Sequence, residues 1–133
     1  MSGRICDDYA NSMLAAVIPG GAAFGPPTHL KLALSTADPL RDGSGLVEPT
    51  DSAYARQTVD AWTADAANRR IRNTNPVAFP AASADQGTIS HWALIDDGDV
   101  FVASGPFAAS QAVPIGVVLT IAALAAVIDL AVA

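Results

Sequence analysis

Cysteine and basic residues are both scarce in this chain of 133 residues. Cys6 is the single cysteine, so the chain can form no internal disulfide and carries no CxxC metal-binding motif. Seven Lys and Arg residues face 13 Asp and Glu residues, which gives a formal net charge of -6. Because nucleic-acid binding depends on clustered cations, we expect no nucleic-acid partner. The one basic cluster, Arg69, Arg70 and Arg72, is predicted to lie in a solvated turn or against an acidic neighbour.

Groups suited to catalysis or metal binding are equally sparse. His29 and His91 are the only imidazoles, and neither stands in a motif with a nucleophile. The acidic residues between Asp96 and Asp99 lack the spaced oxygen ligands of a calcium loop, so we interpret them as a turn. We therefore expect a protein that is not an enzyme and that has no cofactor and no metal site.

The first 20 residues have the pattern of a helix rather than of a signal peptide, because acidic residues interrupt them early. Apolar residues recur there at intervals of four, at Ile5, Tyr9, Met13 and Val17. Ser2 can cap the start, and Pro19 with the two glycines after it marks the end. The sequence thus predicts an N-terminal helix within residues 1–20.

The segment from Ile115 to Ala133 is apolar enough to resemble a membrane span. Much of it is alanine, Asp129 lies inside it, and no Lys or Arg follows Arg72. We therefore expect no membrane partner and a buried strand, with a bend or break near Ala122 and Ala123. The pattern leaves open whether the segment forms one strand, two strands or a partly helical element.

Residues 28–133 have the alternation and turn signals of a β-sandwich, and nothing divides residues 1–133 into more than one domain. Leu30, Leu32 and Leu34 share one face of the clearest strand. A strand over residues 89–95 is followed by an Asp-Gly turn and an antiparallel return over residues 100–103. Extended segments are also predicted at residues 54–62 and 77–79. Residues 37–50 form a polar loop, and residues 65–72 form a turn or, alternatively, a short helix.

Five sequence motifs, in the order given below, resemble those of a known family. The chain resembles small structural proteins of tailed-phage virions, which are often labelled tail-fibre or structural proteins and are similar to the capsid cement or decoration type. The motifs lie at residues 35–39, 48–57, 73–82, 87–96 and 117–130. This resemblance implies a mainly β protein, a jelly-roll-like antiparallel β-sandwich with a short N-terminal α-helix.

The resemblance further implies a cement protein that binds the outer capsid surface and stabilises the shell by bridging neighbouring major capsid subunits. Its partners would be the major capsid protein and other copies of itself, most simply as a homodimer, with a trimer as an alternative. It would be made in the bacterial host cytoplasm and located on the capsid surface of the virion. The alternatives are a tail or tail-fibre attachment component and a carbohydrate-binding β-sandwich module, which would expose a coplanar aromatic platform.

The candidate structural or interface residues are aromatic and polar. Arg56 is expected to bridge to an acidic residue such as Glu48 or Asp51, and Asn73 to fix loops around the docking surface. The expected contact surfaces are the N-terminal helix and the loops at residues 37–50 and 65–72. The large aromatic anchors of core or interface are predicted to be Tyr54, Phe79, Trp92 and Phe101.

Overall fold

Ten β-strands and one α-helix are formed by residues 3–129, the part of the chain that the computed structural model describes. A short strand, β1 (Gly3–Ile5), precedes the helix, α1 (Asp7–Val17). The remaining strands follow as β2 (Leu30–Ser35), β3 (Gln57–Thr58), β4 (Trp62–Asp65), β5 (Arg70–Asn73), β6 (Val77–Ala78), β7 (Thr88–Asp96), β8 (Phe101–Ala112), β9 (Thr120–Ile121) and β10 (Val127–Asp129). The prediction of a mainly β protein with one short helix is confirmed.

Eight strands form one sheet in the order β3-β2-β7-β8-β1-β10-β5-β4, and β6 and β9 form a second sheet of two strands. This curled arrangement is compatible with a jelly-roll-like sandwich. Neighbouring strands pair antiparallel except β1 and β10, which are parallel. The pair β1 and β10 is thus the one exception to antiparallel pairing among the described strands. A parallel pair is possible there because β1 and β10 lie near opposite ends of the chain, so no tight turn has to join them.

Helix α1 begins later than the sequence pattern predicts. Residues 3–5 are extended because their backbone pairs with β8 on one side and β10 on the other. Ile5 therefore lies on a strand, where it packs against the main core. Cys6 occupies the N-cap position without capping through its side chain, and its Sγ donates to the carbonyl oxygen of Phe101 at 3.0 Å. The predicted cap, Ser2, lies outside the described residues.

The central strands β2 and β7 present different residues to the two faces of the sheet. Leu32, Leu34 and Trp92 are fully buried on the face that carries the main core, so the predicted leucine face of β2 is confirmed. Gly105 on β8 lies under the Trp92 ring, and a Cβ added there would stand 2.6 Å from Trp92 Cζ2. Gly3 on β1 is confined by the same ring. The indole therefore packs directly on the backbone of two strands.

The loop at residues 36–50 covers the other face of the sheet. Ala33, Ala93 and Ile95 are buried there, with Leu46 and Phe101 packed over them. The loop is fixed at Ser35, whose Oγ donates to the Ala37 carbonyl at 2.7 Å and accepts from the Val47 amide at 3.1 Å. A second attachment is the ion pair of Arg41 with Asp7 of α1, at 3.0 Å between Nε and Oδ1. The loop thus lies against the sheet.

The two predicted turn regions are both β-hairpins. Strands β7 and β8 pair antiparallel around the Asp97-Gly98 turn, as the sequence indicates. Strand β8 continues to Ala112, well beyond the predicted end at residue 103. Residues 66–69 form the turn between β4 and β5, so the alternative of a short helix at residues 65–72 is wrong.

The apolar C-terminal segment forms two short strands in the part that the structure describes. Strand β9 pairs with β6 and strand β10 with β5 and β1. The break falls at residues 122–126, as predicted for the Ala122 and Ala123 region, while residues 130–133 lie outside the description. Among the described residues, no helix has the length and apolarity needed to cross a membrane.

Asn73, at the end of β5, holds this break in place. Its side chain is fully buried, and its Nδ2 donates to the carbonyl oxygens of Asn75 at 2.8 Å and Ala122 at 3.0 Å. Its Oδ1 accepts from the Ala126 amide at 2.9 Å. The backbone of Asn73 also accepts from the Leu124 amide at 2.8 Å. One amide side chain therefore satisfies three backbone groups, two of which lie in the β9–β10 connection.

We predict that Asn73→Ala lowers the free energy of unfolding by about 2–4 kcal/mol, because buried backbone groups would lose their partners. The measurement is urea denaturation followed by circular dichroism. The matched control is Asn75→Ala, which truncates an exposed asparagine two residues away and should change stability by less than about 0.5 kcal/mol. Equal effects of the two substitutions would contradict the role given to the Asn73 side chain.

Candidate functional site

Arg56, Glu48 and Tyr54 form one hydrogen-bonded network next to β2. Arg56 donates from Nε to Glu48 Oε1 and from Nη2 to Oε2, both at 2.8 Å, so the pair is bidentate. The Tyr54 hydroxyl donates to Glu48 Oε1 at 2.8 Å and accepts from the Leu34 amide at 3.0 Å. A further contact joins Arg56 Nη1 to Asp99 Oδ1 at 3.2 Å. The network thus connects residues 48–56 to β2 and to the β7–β8 hairpin.

The electrostatics of this network follow from its geometry. The Arg56 guanidinium lowers the pKa of the Glu48 carboxyl, and the hydrogen bonds to Glu48 raise the pKa of Arg56. Burial raises the pKa of the Tyr54 hydroxyl well above its usual value. All three groups therefore keep their ordinary neutral-pH charges, and the arginine fork is already occupied by carboxylates. The expected bridge from Arg56 is confirmed for Glu48.

Asp51, the other expected partner of Arg56, instead fixes the loop at residues 83–86. Its carboxylate accepts from the Ser83 hydroxyl, from the Ser83 amide at 2.8 Å and from Gln86 Nε2 at 2.9 Å. The Ser83 and Gln86 hydrogen bonds lower the pKa of the Asp51 carboxyl well below its usual range. Gln86 is buried, and its backbone N–H donates to the Val113 carbonyl at 2.9 Å. This role of Asp51 was not predicted from the sequence. The polar residue directly before Gly87, Gln86, was the one signal that could have indicated a side-chain contact there.

The predicted aromatic anchors lie in three different surroundings. Trp92 and Phe79 are buried in the main core. Tyr54 stacks on Phe79 with a centroid distance of 6.2 Å and an interplanar angle of 4°. Phe101 is half-buried on the opposite face of the sheet. No Phe, Trp or Tyr side chain between residues 3 and 129 is exposed, so this part of the chain presents no aromatic platform for a sugar ring.

The arginine cluster lies on the β4–β5 hairpin. Arg69 is exposed in the turn with a positive φ of 54°, as a solvated turn residue would be. Arg70 and Arg72 are instead strand residues of β5 and are half-buried, so the prediction of a turn is wrong for them. Arg72 Nη2 lies 3.9 Å from Asp65 Oδ2, which agrees with the predicted acidic neighbour. The cluster is therefore divided between a turn and a strand.

Helix α1 and the residue directly after it carry three large apolar side chains that are well exposed. None of its 11 residues is buried, and Tyr9 ties it to the β7–β8 hairpin by donating to Asp96 Oδ2 at 2.6 Å. Leu14, Val17 and Ile18, which we call the α1 surface, are 63%, 78% and 59% exposed. An isolated helix of this length is marginally stable in water. These three side chains therefore form an apolar area on the surface of the described residues.

The network around Asp51 predicts a loss of stability in acid. The folded-state pKa values of Asp51 and Glu48 lie below their usual values of 3.8 and 4.5. Their contribution is therefore fully present above those values and is lost as the pH falls through the folded-state values. We predict that Asp51→Asn lowers the thermal midpoint at pH 7, and that its difference from the wild type shrinks below about pH 4.

Circular dichroism melts at pH 7 and at lower pH measure this difference. The control is Asp97→Asn, which changes the charge equally at an exposed hairpin position and should lower the midpoint much less at pH 7. A gap between Asp51→Asn and the wild type that stayed constant over the whole pH range would contradict the assignment.

Comparison with known proteins matches nearly the whole chain to one family. Residues 5–129, nearly the whole chain, match the family described as podophage GP4 fiber I protein gp80. A comparison with curated proteins gives no match. The family match also agrees with the resemblance to tailed-phage structural proteins found in the five sequence motifs. The chain therefore belongs to the podophage GP4 fiber I protein gp80 family and is a structural protein of a phage virion.

Proposed function

We propose that this protein is an attachment component of a virion fibre, held in the particle by contacts between proteins. The observation that carries the proposal is the match of residues 5–129 to a family described as a fiber protein. The match covers the core strands and both hairpins, so it concerns nearly the whole described architecture. In this role the chain needs no catalytic group, because its contribution is an interface that joins neighbouring subunits.

The short strands and helix of the described fold support a role as an attachment module rather than as a fibre shaft. The longest strand, β8, has 12 residues, and α1 has 11. An antiparallel strand advances about 3.4 Å per residue, so β8 spans at most roughly 40 Å, and its register shift against β7 shortens it. The strands pair into a curled sheet in which β1 and β10 are neighbours. A module of this kind does not form a continuous shaft; it joins a fibre as one complete unit.

The α1 surface is the contact that we assign to the neighbouring virion protein. Its three apolar side chains stand clear of the main core, and no Lys or Arg occurs between Ile5 and His29. Burying a Leu or Val side chain contributes about 1.5–3 kcal/mol, so three such residues could supply the centre of a stable contact. The partner would present an apolar surface of matching shape.

A capsid cement role is the second candidate, and the five-motif resemblance favours it. In that role each copy would bind the outer capsid surface and bridge major capsid subunits, so that many copies together resist internal pressure. The same α1 surface could serve either position. The two proposals differ in location, because cement covers the shell and an attachment component is confined to the tail region.

We predict that an epitope tag on this protein labels the tail region of intact particles. Immunogold electron microscopy measures the position, and the major capsid protein carrying the same tag serves as the control for labelling of the shell. Under the fibre proposal, heads purified before tail joining lack the protein. Gold distributed over the whole shell, together with binding to purified expanded capsids, would overturn the fibre proposal in favour of cement.

We further predict that Val17→Asp reduces incorporation into particles at least tenfold, because it places a carboxylate in an apolar contact. The protein content of particles from complemented infections is measured by immunoblot. The matched control is Ser12→Asp, an exposed position of α1 two residues from Leu14 and therefore on roughly the opposite side of the helix. Equal incorporation of the two folded variants would exclude the α1 surface as the contact.

A further inference from the structure

A cleft of about 300 Å³ lies between α1 and the β4–β5 hairpin. In the strand pairing, Ile71 of β5 stands between Ala64 of β4 and Ile128 of β10, so these three residues share one face of the sheet. All three line the cleft, together with Ile5 of β1 and Met13 of α1. Ile71 is 37% exposed. The cleft is therefore an apolar recess in the surface of the described residues.

The charged residues that line this cleft differ in how far they are satisfied. Asp65 accepts from Asn68 Nδ2 at 2.8 Å and has Arg72 Nη2 at 3.9 Å, so its carboxylate is matched within the hairpin. Arg69 also lines the cleft, and its side chain is exposed. Its guanidinium has no hydrogen-bond or ion-pair partner among the described residues. The cleft thus offers an unmatched positive charge in a chain with a net charge of -6.

The backbone at Arg69 gives a second reason to assign a role to this side chain. Its φ of 54° lies in the left-handed region, which glycine adopts more readily than a residue with a long side chain. A turn that needed only this conformation would be more stable with glycine. Residues held in such conformations are concentrated where a side chain binds a ligand. At this position the unfavourable conformation places a guanidinium beside the apolar recess.

We propose that this cleft binds an acidic, apolar segment of a neighbouring virion protein, with an apolar side chain in the recess and a carboxylate on Arg69. A guanidinium can hold a carboxylate by two parallel hydrogen bonds, which fixes the orientation of the bound segment. The rest of the chain is acidic and repels such a segment, so the field of the protein favours approach at this cleft. The inference rests on the proposed role in joining virion proteins and names the kind of partner.

The cleft is continuous with the α1 surface. Met13 lines the cleft and Val17 belongs to the α1 surface, and these two residues are four positions apart, on the same side of the helix. A partner that covers the α1 surface therefore reaches the cleft one helical turn away. Apolar burial on α1 would supply much of the affinity, and the carboxylate on Arg69 would select an acidic partner.

Binding of synthetic peptides to the purified full chain tests this proposal without phage particles, so its failure is separate from that of the fibre assignment. The probes are three short fluorescein-labelled peptides in which leucine alternates with glutamate, glutamine or lysine. Fluorescence anisotropy measures their dissociation constants. We expect the glutamate peptide to bind at least tenfold more tightly than the glutamine peptide, and the lysine peptide to bind most weakly. Raising sodium chloride from 0.05 M to 0.5 M should reduce this preference, because salt screens the charge of Arg69.

Arg69→Gly should weaken binding of the glutamate peptide at least tenfold. Because glycine suits the φ of 54°, the variant should keep or raise the thermal midpoint, which shows that it is folded. Ile71→Ser, which makes the recess more polar, should weaken binding of both the glutamate and the glutamine peptide at least threefold. The matched control is Lys31→Gln, which also removes one positive charge but lies on β2, separated from β5 by four strands of the sheet.

Three results would refute the proposal. The first is no saturable binding of the glutamate peptide up to millimolar concentration. The second is equal affinity for the glutamate and glutamine peptides, which would leave the cleft without selectivity for an acidic partner. The third is equal weakening by Arg69→Gly and Lys31→Gln, which would show that net charge, and not the Arg69 guanidinium, decides binding.

Discussion

The insertion of β1 between β8 and β10 is the constraint on which the rest of the structure depends. In the sheet order, this strand of three residues is the hydrogen-bonded link between β3-β2-β7-β8 on one side and β10-β5-β4 on the other. The link also needs close packing, because the ring of Trp92 lies against Gly3 and Gly105. A side chain at either glycine would separate the indole from the strand pair. The short strand, the two glycines and the buried tryptophan thus form one packing unit.

The position of β1 also determines where α1 and the loop at residues 36–50 can lie. Because β1 is the strand immediately before α1, the helix must start beside the β7–β8 hairpin, where Tyr9 reaches Asp96. Arg41 then pairs with Asp7 and brings the loop to the start of the helix. The loop can therefore cover the face of the sheet that carries Ala33, Ala93 and Ile95. The pairing of β1 therefore accounts for the position of α1 and for that of the loop at residues 36–50.

Much of the fold could be predicted from local patterns, and the errors occur where distant contacts decide the structure. The leucine alternation of β2 and the Asp-Gly turn are local signals, and both gave the correct elements. β1 could not be recognised, because Gly3–Ile5 has no strand pattern and is extended only through its two distant neighbours. The break in the C-terminal segment was predicted near Ala122 and Ala123, but the division into two strands was left open because it depends on Asn73, about 50 residues earlier in the chain. The bridge from Arg56 to Glu48 was predictable because eight residues separate the two.

The polar groups of this chain are used mainly to hold the chain itself together. Glu48 and Arg56 satisfy one another, Asp51 fixes the loop at residues 83–86, and Asn73 satisfies three backbone groups. A carboxylate or guanidinium that already has its partners has little capacity left for a ligand. The exposed apolar residues have no such internal use, and exposing them to water has a cost that only a partner can remove. The contacts of this virion protein are therefore best sought where the fold leaves apolar side chains uncovered.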